Sequence, residues 1–337
     1  ARGFRGMETL LLGPDDVAAS ANLPAVIDAV EEAFGAYATG DVQMPAKSYI
    51  DLPQHNGDFR SMPAYIDRTE EGGWEAAGVK WVNSHPDNPD THDLPTVMGT
   101  MIYSDPETAL PLAILDGTEL TRLRTGAAAA VATRHLARED ATSLGLVGAG
   151  IQSYTQLDAI VQVRAIDTVV VADRDADAIA AFRERYGDAY DVREGTIAEA
   201  TACDVVSTTT PVRDPIVDSV ADGTHVNAMG ADAEGKHELA DAVLQHATLV
   251  IDDHAQCTHS GEINVPWSAG LLSDADIHAE LGDVVAGAAP GRESDDEVTV
   301  FDSTGLAIQD VAAAHVVYEH ARERDIGTDF ALVGTDT

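Results

Sequence analysis

The sequence predicts an α/β protein of two units, one doubly wound around a parallel sheet and one mixed α+β. Three observations carry that expectation. Between residues 143 and 303, short apolar runs alternate with stretches that suit helices. Between residues 44 and 115, strand-like runs follow one another with only turn formers between them. At residues 144–153, Leu-Gly-Leu-Val-Gly-Ala-Gly-Ile-Gln-Ser joins an apolar run to a helix through two glycines. That is the strand, tight turn and helix of a dinucleotide-binding βαβ unit. A chain of 337 residues, 45% hydrophobic, is long enough for two cores.

Residues 8–39 read as helical throughout. Gly13-Pro14-Asp15-Asp16 can start one helix. Leu23-Pro24 can start a second, with Val26, Ile27, Val30, Ala33 and Phe34 at helical spacing, and Gly40-Asp41 closes it. Strands are predicted at 47–52, 58–66, 78–82, 96–103 and 112–115. Pro53, Gly57, Asp67, Gly72-Gly73, Pro86, Asn88-Pro89 and Asp105-Pro106 mark the turns between them. A helix at 121–136 follows, and its Gly126-Ala127-Ala128-Ala129-Ala130 run allows close packing. After the glycine turn come a helix (152–163), a strand (168–172), a helix (176–186) and an edge strand (190–193). Strands at 204–208, 225–228, 248–251 and 298–301 complete the sheet, and a helix at 305–322 returns the chain to the first unit. Residues 1–6 lack the apolar core of a signal peptide and read as a remnant or frayed tail, with Met7 as the start.

The glycine turn implies a cofactor. Gly148 permits the turn, and Gly150, without a Cβ, lets backbone approach a pyrophosphate. Ile151 and Gln152 open a helix whose N–H groups and positive dipole end face the phosphates. Ser153 stands where a third glycine usually stands. Asp173 ends the next strand, where a carboxylate can accept hydrogen bonds from ribose hydroxyls. A surface turn followed by a solvated aspartate is the plain alternative, but strand, glycines, helix, second strand and acid occur together. Arg174 could pair with a 2′-phosphate, which keeps NADP open beside NAD, although Asp173 would repel it. Thr208 and Thr209, Met229 and Gly230, and Ser303 and Thr304 follow strands at the same sheet edge and are candidate cofactor contacts.

Net charge is −38, from 58 acidic and 20 basic residues, and only Lys47, Lys80 and Lys236 are lysines. Such a surface repels nucleic acid and anionic membranes, and no apolar run approaches the ~20 residues that span a bilayer. Cys203 and Cys257 are far apart without framework spacing, which implies a reduced, cytoplasmic setting. His254, Cys257 and His259 match no closed tetrahedral pattern, so no metal is expected.

In so acidic a chain the cations are informative. Lys47, Arg60, Lys80 and Arg124 all fall in the mixed unit. Lys80 lies in the apolar strand Ala77-Gly78-Val79-Lys80-Trp81-Val82, so it is either edge-exposed or held in a cleft, where it can move a proton or bind a carboxylate. Arg124, near a helix start, could clamp a carboxylate with help from the helix dipole. Asp232 follows the carboxyl end of a parallel strand and reads either as an acid/base group or as a helix N-cap.

These motifs resemble one family. Ala77–Pro86, Leu120-Thr121-Arg122-Leu123-Arg124-Thr125-Gly126-Ala127, Val147–Gln152, Asn227–Asp232 and Val300-Phe301-Asp302-Ser303-Thr304-Gly305 together resemble the ornithine cyclodeaminase/mu-crystallin family. The resemblance implies a Rossmann-type domain at 126–309. It also implies a substrate and dimerisation domain from both chain ends, 7–125 plus 310–337, and hence a homodimer. It places Lys47, Lys80 and Arg124 around a substrate carboxylate and Asp232 as the acid/base group. In ornithine cyclodeaminases a Glu before a Met-Pro pair faces ornithine's distal amino group. Here Phe59-Arg60-Ser61-Met62-Pro63 puts Arg60 in or beside that position, which suits a small or anionic amino acid and resembles the archaeal alanine dehydrogenases. The implied reaction is NAD-dependent oxidative deamination of L-alanine to pyruvate and ammonium, with Arg60 helping to orient the carboxylate. Ornithine cyclodeamination and ketimine reduction are the alternatives within the family.

The acid excess predicts adaptation to molar salt, where screening removes self-repulsion. The unfolding midpoint is expected to rise as KCl is increased from dilute to molar. A midpoint insensitive to KCl contradicts this halophilic reading.

Overall fold

The computed structural model describes residues 8–71 and 73–334. Residues 1–7, with the predicted start at Met7, and Gly72 of the predicted turn lie outside the described residues. The chain divides into two compact units, Ala1–Arg124 with Leu306–Thr337, and Thr125–Gly305.

In chain order, the first unit contains β1 (Thr9–Leu12), α1 (Pro14–Ser20), α2 (Leu23–Thr39), β2 (Val42–Gln43), β3 (Ser48–Leu52) and β4 (Gly57–Asp67). It continues through β5 (Glu75–Ser84), α3 (Asn88–His92), β6 (Val97–Ser104), β7 (Pro111–Asp116) and α4 (Gly117–Leu136), within which the unit boundary falls. The second unit runs through β8 (Ser143–Val147), α5 (Ile151–Ile160), β9 (Thr168–Ala172), α6 (Ala176–Tyr186), β10 (Asp191–Glu194), α7 (Ile197–Ala200) and β11 (Val205–Thr208). It closes with β12 (His225–Ala228), α8 (Asp241–His246), β13 (Thr248–Ile251), α9 (His254–Ser260), α10 (Asn264–Ser268), β14 (Ile277–Glu280), α11 (Leu281–Val285) and β15 (Thr299–Asp302). The chain then re-enters the first unit as α12 (Ala307–Glu323) and β16 (Thr328–Phe330).

The first unit is a mixed sheet in the order β16-β1-β7-β6-β5-β4-β2, with β3 also paired to β4. Only β1 and β7 run parallel; the remaining pairs are antiparallel. Strand β1 corrects the expectation of helix throughout 8–39. Thr9, Leu10 and Leu12 are buried, and a partner about a hundred residues away, β7, decides their conformation. Asn88-Pro89 likewise opens the short helix α3 instead of ending in a turn, because a first-turn proline gives up no helix hydrogen bond. Helix α12 covers β4, β5 and β6 and packs on α2. Alanine and valine bury most of its circumference.

The second unit is an all-parallel sheet in the order β10-β9-β8-β11-β12-β15-β13-β14. The chain winds outward from β8 through β9 to β10, then restarts on the other side at β11. The carboxyl ends of β8 and β11 therefore flank the switch point where doubly wound sheets bind ligands. The glycine turn follows β8, so the topology places it there.

Gly145 shows how tightly this unit is packed. A Cβ there would collide with the Ala200 carbonyl of α7. Gly145→Ala is expected to cost about 3 kcal/mol in denaturant unfolding, at the upper end for overpacking. A loss below about 1 kcal/mol would mean that α7 yields.

Candidate active site

The second unit builds its turn as the glycines dictate. Gly148 has φ +104, and a Cβ there would lie 3.0 Å from Thr209 Oγ1. Gly150 caps α5 with no side-chain partner, and a Cβ on it would meet nothing within 4 Å. Ser153 is buried and its hydroxyl donates to Gly150 O at 2.6 Å, so the helix itself satisfies it. Ile151 is 54% exposed at the helix start. Asp173 latches the turn: Oδ2 accepts from Ala149 N at 2.6 Å and Oδ1 from Asp175 N at 2.9 Å. Each oxygen retains a second lone pair. Arg174 is exposed.

The structure corrects the role of two candidate hydroxyls. Thr208 is buried, and its hydroxyl donates to Glu238 Oε2 at 2.5 Å, so it braces the sheet edge instead of facing a ligand. Ser303 Oγ donates to Asp252 Oδ2 at 3.0 Å. Thr209 differs: its Oγ1 is buried beside the glycine turn with no hydrogen-bond partner. An open helix N-terminus, a glycine that leaves space and an orphaned hydroxyl at the switch point fit a dinucleotide.

Buried carboxylates that sequence reasoning did not find hold these loops. Glu238 accepts from Thr208 Oγ1, from Thr210 N at 2.7 Å and Thr210 Oγ1 at 2.6 Å, and from Gly230 N at 3.1 Å. It thus ties the loop after β11 to the loop after β12, where Met229 N also donates to Thr208 O at 3.0 Å. Glu262 Oε1 accepts from Glu238 N and Leu239 N at 2.7 and 2.6 Å. Asp302 accepts from Glu262 N and Ile263 N, and burial pushes its carboxyl up to about 7. Asp252 accepts from Thr304 N at 2.8 Å and Gly305 N at 2.9 Å. Cys257 Sγ donates to Asp252 at 3.1 Å, and burial raises this thiol well above its usual range. His254 pairs with Asp274 at 2.8 Å. Asp232 caps no helix, which removes that reading. Its side chain is 47% exposed and meets Lys236 at 2.8 Å.

The first unit gathers its cations on the inner face of its sheet. Lys80 stands in β5 between β4 and β6, opposite Met62 and Met101, and is 1% exposed. The edge-exposed alternative is therefore excluded. Its Nζ donates to Asp310 Oδ1 at 2.7 Å and to Thr121 Oγ1 at 3.1 Å. Arg124 Nε lies 3.2 Å from the same Asp310 oxygen, a charge contact without hydrogen-bond alignment. Arg124 Nη1 donates to Gln309 Oε1 at 3.0 Å. Lys47, just before β3, is near enough for its charge to act on Lys80. Burial drives the Lys80 ammonium down from 10.5 to about 7; Asp310 opposes this, while Arg124 and Lys47 add to it.

Two expectations about the arginines change. Helix α4 begins at Gly117, where Asp116 accepts from Glu119 N at 2.7 Å and a Cβ would lie 2.6 Å from Gly99 C. Arg124 is thus two turns inside the helix, beyond the reach of the terminal dipole. Arg60 shares the face of Lys80, because it pairs with inward-facing Val82. Its Nε and Nη2 make a bidentate pair with Asp58 at 3.0 and 2.9 Å. The position therefore carries a matched pair, not a lone cation, which weakens the expectation of an anionic amino acid. Asp310 carried a signal of its own: a carboxylate inside the apolar run Leu306–Ala314 is as anomalous as Lys80 inside its strand.

A chain that contains both a doubly wound unit with an open glycine turn and a unit with buried cations around one carboxylate has the parts of a nicotinamide-dinucleotide oxidoreductase. Residues 7–325 match the Ornithine cyclodeaminase/mu-crystallin family, and the chain belongs to it. It is 46% identical to an alanine dehydrogenase of Archaeoglobus fulgidus over 327 residues, 96% of this chain and 98% of the relative. Its fold matches a solved archaeal alanine dehydrogenase dimer with bound NAD at TM-score 0.91 and 46% identity, covering 97% of this chain and all of that one. It also matches the Thermococcus litoralis Delta(1)-pyrroline-2-carboxylate reductase, solved with NADH and L-proline, at TM-score 0.89 and 35% identity, over 95% and 99% of the two chains.

The three lysines make the key group directly observable. In protein labelled with 13C at the lysine ε carbon, the resonance lost in Lys80→Met is expected to titrate near pH 7. A midpoint near the ~10.4 of a hydrated amine contradicts the burial.

Proposed function

We propose that this protein is an NAD-dependent L-alanine dehydrogenase, a cytoplasmic homodimer adapted to high salt. The observation that carries the reading is the pair of buried cations Lys80 and Arg124 on the one carboxylate of Asp310, with the charge of Lys47 also acting on Lys80. Two cations on one carboxylate suit a substrate carboxylate, and the 46% identity to an alanine dehydrogenase supports a small amino acid.

The first unit (7–125 plus 310–337 in the sequence reading) would bind the amino acid, and the second (126–309) the dinucleotide. Lys47 and Arg124 would orient the carboxylate, with Arg60 and Asp58 shaping the wall beside them. Lys80, poised near neutrality, would take the amine proton and return it in reductive amination. Asp232 would act on the water that hydrolyses the imine. Gly148, Gly150, Ile151, Gln152 and Asp173 would hold the pyrophosphate and ribose, with Thr209, Met229, Gly230 and Thr304 along the strand ends. When bound, NAD supplies the hydride acceptor. The Asp173 carboxylate at the glycine turn favours NAD over NADP.

Dimerisation is supported by the outer face of the first sheet, where Trp81 and Ile102 are 43% and 37% exposed beside inward-facing Lys80 and Met101. The solved archaeal relative is a dimer. Two free, buried cysteines suit a reducing compartment.

In molar KCl, L-alanine is expected to drive net NADH formation, whereas L-ornithine is expected to give no proline. Lys80→Ala should lower turnover at least a hundredfold and leave calorimetric NAD affinity unchanged. NADPH-dependent reduction of a cyclic imine in place of alanine oxidation would favour the ketimine reductase reading, which draws on the 35% identical reductase.

A further inference from the structure

We propose that Asp310 and Thr121 form a two-acceptor clamp on Lys80 that leaves one defined N–H position as the only one at which a proton is exchanged. Both are positioning residues. The inference rests on Lys80 as the proton carrier proposed above, and adds how its proton is given a direction.

An ammonium has three N–H groups, and the neutral amine has two and a lone pair. The Asp310 carboxylate, 2.7 Å from Nζ, can only accept. Thr121 Oγ1, 3.1 Å away, could in principle donate, but its own proton goes to Gly117 O at 2.6 Å. Toward Lys80 it is therefore an acceptor as well. Two N–H groups stay on these partners in either protonation state. The third position has no acceptor among the described residues, and that is where the proton leaves and the lone pair is left.

The surroundings keep the clamp in place. The groups that face Lys80 are Asp310 from α12, Thr121 and Arg124 from α4, and Lys47 from the segment before β3. Strands β4 and β6 contribute only Met62 and Met101 at its register. A proton passed from Lys80 to Asp310 would leave Arg124, 3.2 Å from the same oxygen, without its counter-charge. That route is disfavoured in so buried a site, so the third N–H is the productive one. An unclamped amine would sample all three orientations, and proton transfer depends steeply on alignment.

The test uses the full chain with NAD in molar KCl. It records kcat and KM for alanine against pH, together with the 13C titration of Lys80. Thr121→Val removes one acceptor at constant volume and no charge. It is expected to lower kcat about tenfold while KM stays within about twofold. It should also shift the Lys80 midpoint to lower pH, because an acceptor that favours the ammonium is gone. Thr121→Ser should restore both. Asp310→Asn should shift the midpoint further in the same direction. Wild-type kcat with an unmoved midpoint in Thr121→Val, or a change in KM alone, overturns the clamp. The two failures are separable. If Lys80→Met keeps its turnover, the functional reading of Lys80 fails, and the 13C midpoint still decides the clamp. If Lys80→Met is inactive while the Thr121 variants behave as wild type, only the clamp fails.

Discussion

The first unit depends on one buried contact, the ion pair between Lys80 and Asp310. Both side chains are about 1% exposed and their charged atoms are 2.7 Å apart. Removing two charges from water is costly, and apolar residues of similar volume often stabilise a fold better. Losing one partner of such a pair typically costs about 3–5 kcal/mol. A central strand and a helix lined with alanine and valine would pack without these charges. Their presence marks a place where the fold accepts lower stability, as functional sites do, and it is what the proposed proton-exchanging role of Lys80 needs. Arg124 and Lys47 sharpen this, because they raise the cost of a charged Lys80.

The second unit uses buried charge differently. Its carboxylates mostly accept from backbone N–H groups and hydroxyls of loops at the sheet's carboxyl edge. Glu238 joins the loops after β11 and β12, Glu262 holds the segment that carries Glu238, and Asp252 fixes the turn after β15. One carboxylate can accept several such bonds, so each brace orders a length of chain that no apolar contact could orient. The glycine turn itself is held by Asp173 in the same way. In a chain of net charge −38, part of the acid excess is thus internal scaffolding, and the rest lies on the surface.

Much of this was legible in the residues. The helix α6 and strands β12 and β13 lie where periodicity put them, because each is a short run bounded by clear breakers. The glycine turn was legible because Gly148 and Gly150 answer local backbone needs. Strand β1 was hidden, since Leu10-Leu11-Leu12 has no period and its partners lie far along the chain. Lys80 stood out as a charge in an apolar strand. Asp310 carried the complementary signal but went unpaired, because nothing local links residues 230 positions apart. The roles of Thr208 and Ser303 were likewise invisible without their carboxylate partners. Arg60 stands out as one of few cations in an acidic chain, and only the structure shows that Asp58 matches its charge.

The most direct test of this account is an experimental structure with NAD and a non-reacting carboxylate analogue of alanine, obtained in molar KCl. The analogue's carboxylate should lie against Lys47 and Arg124, with the third N–H of Lys80 on the atom that replaces the substrate nitrogen. Asp310 and Thr121 should still hold the other two. An analogue bound elsewhere, with Lys80 turned away from it, would contradict the account.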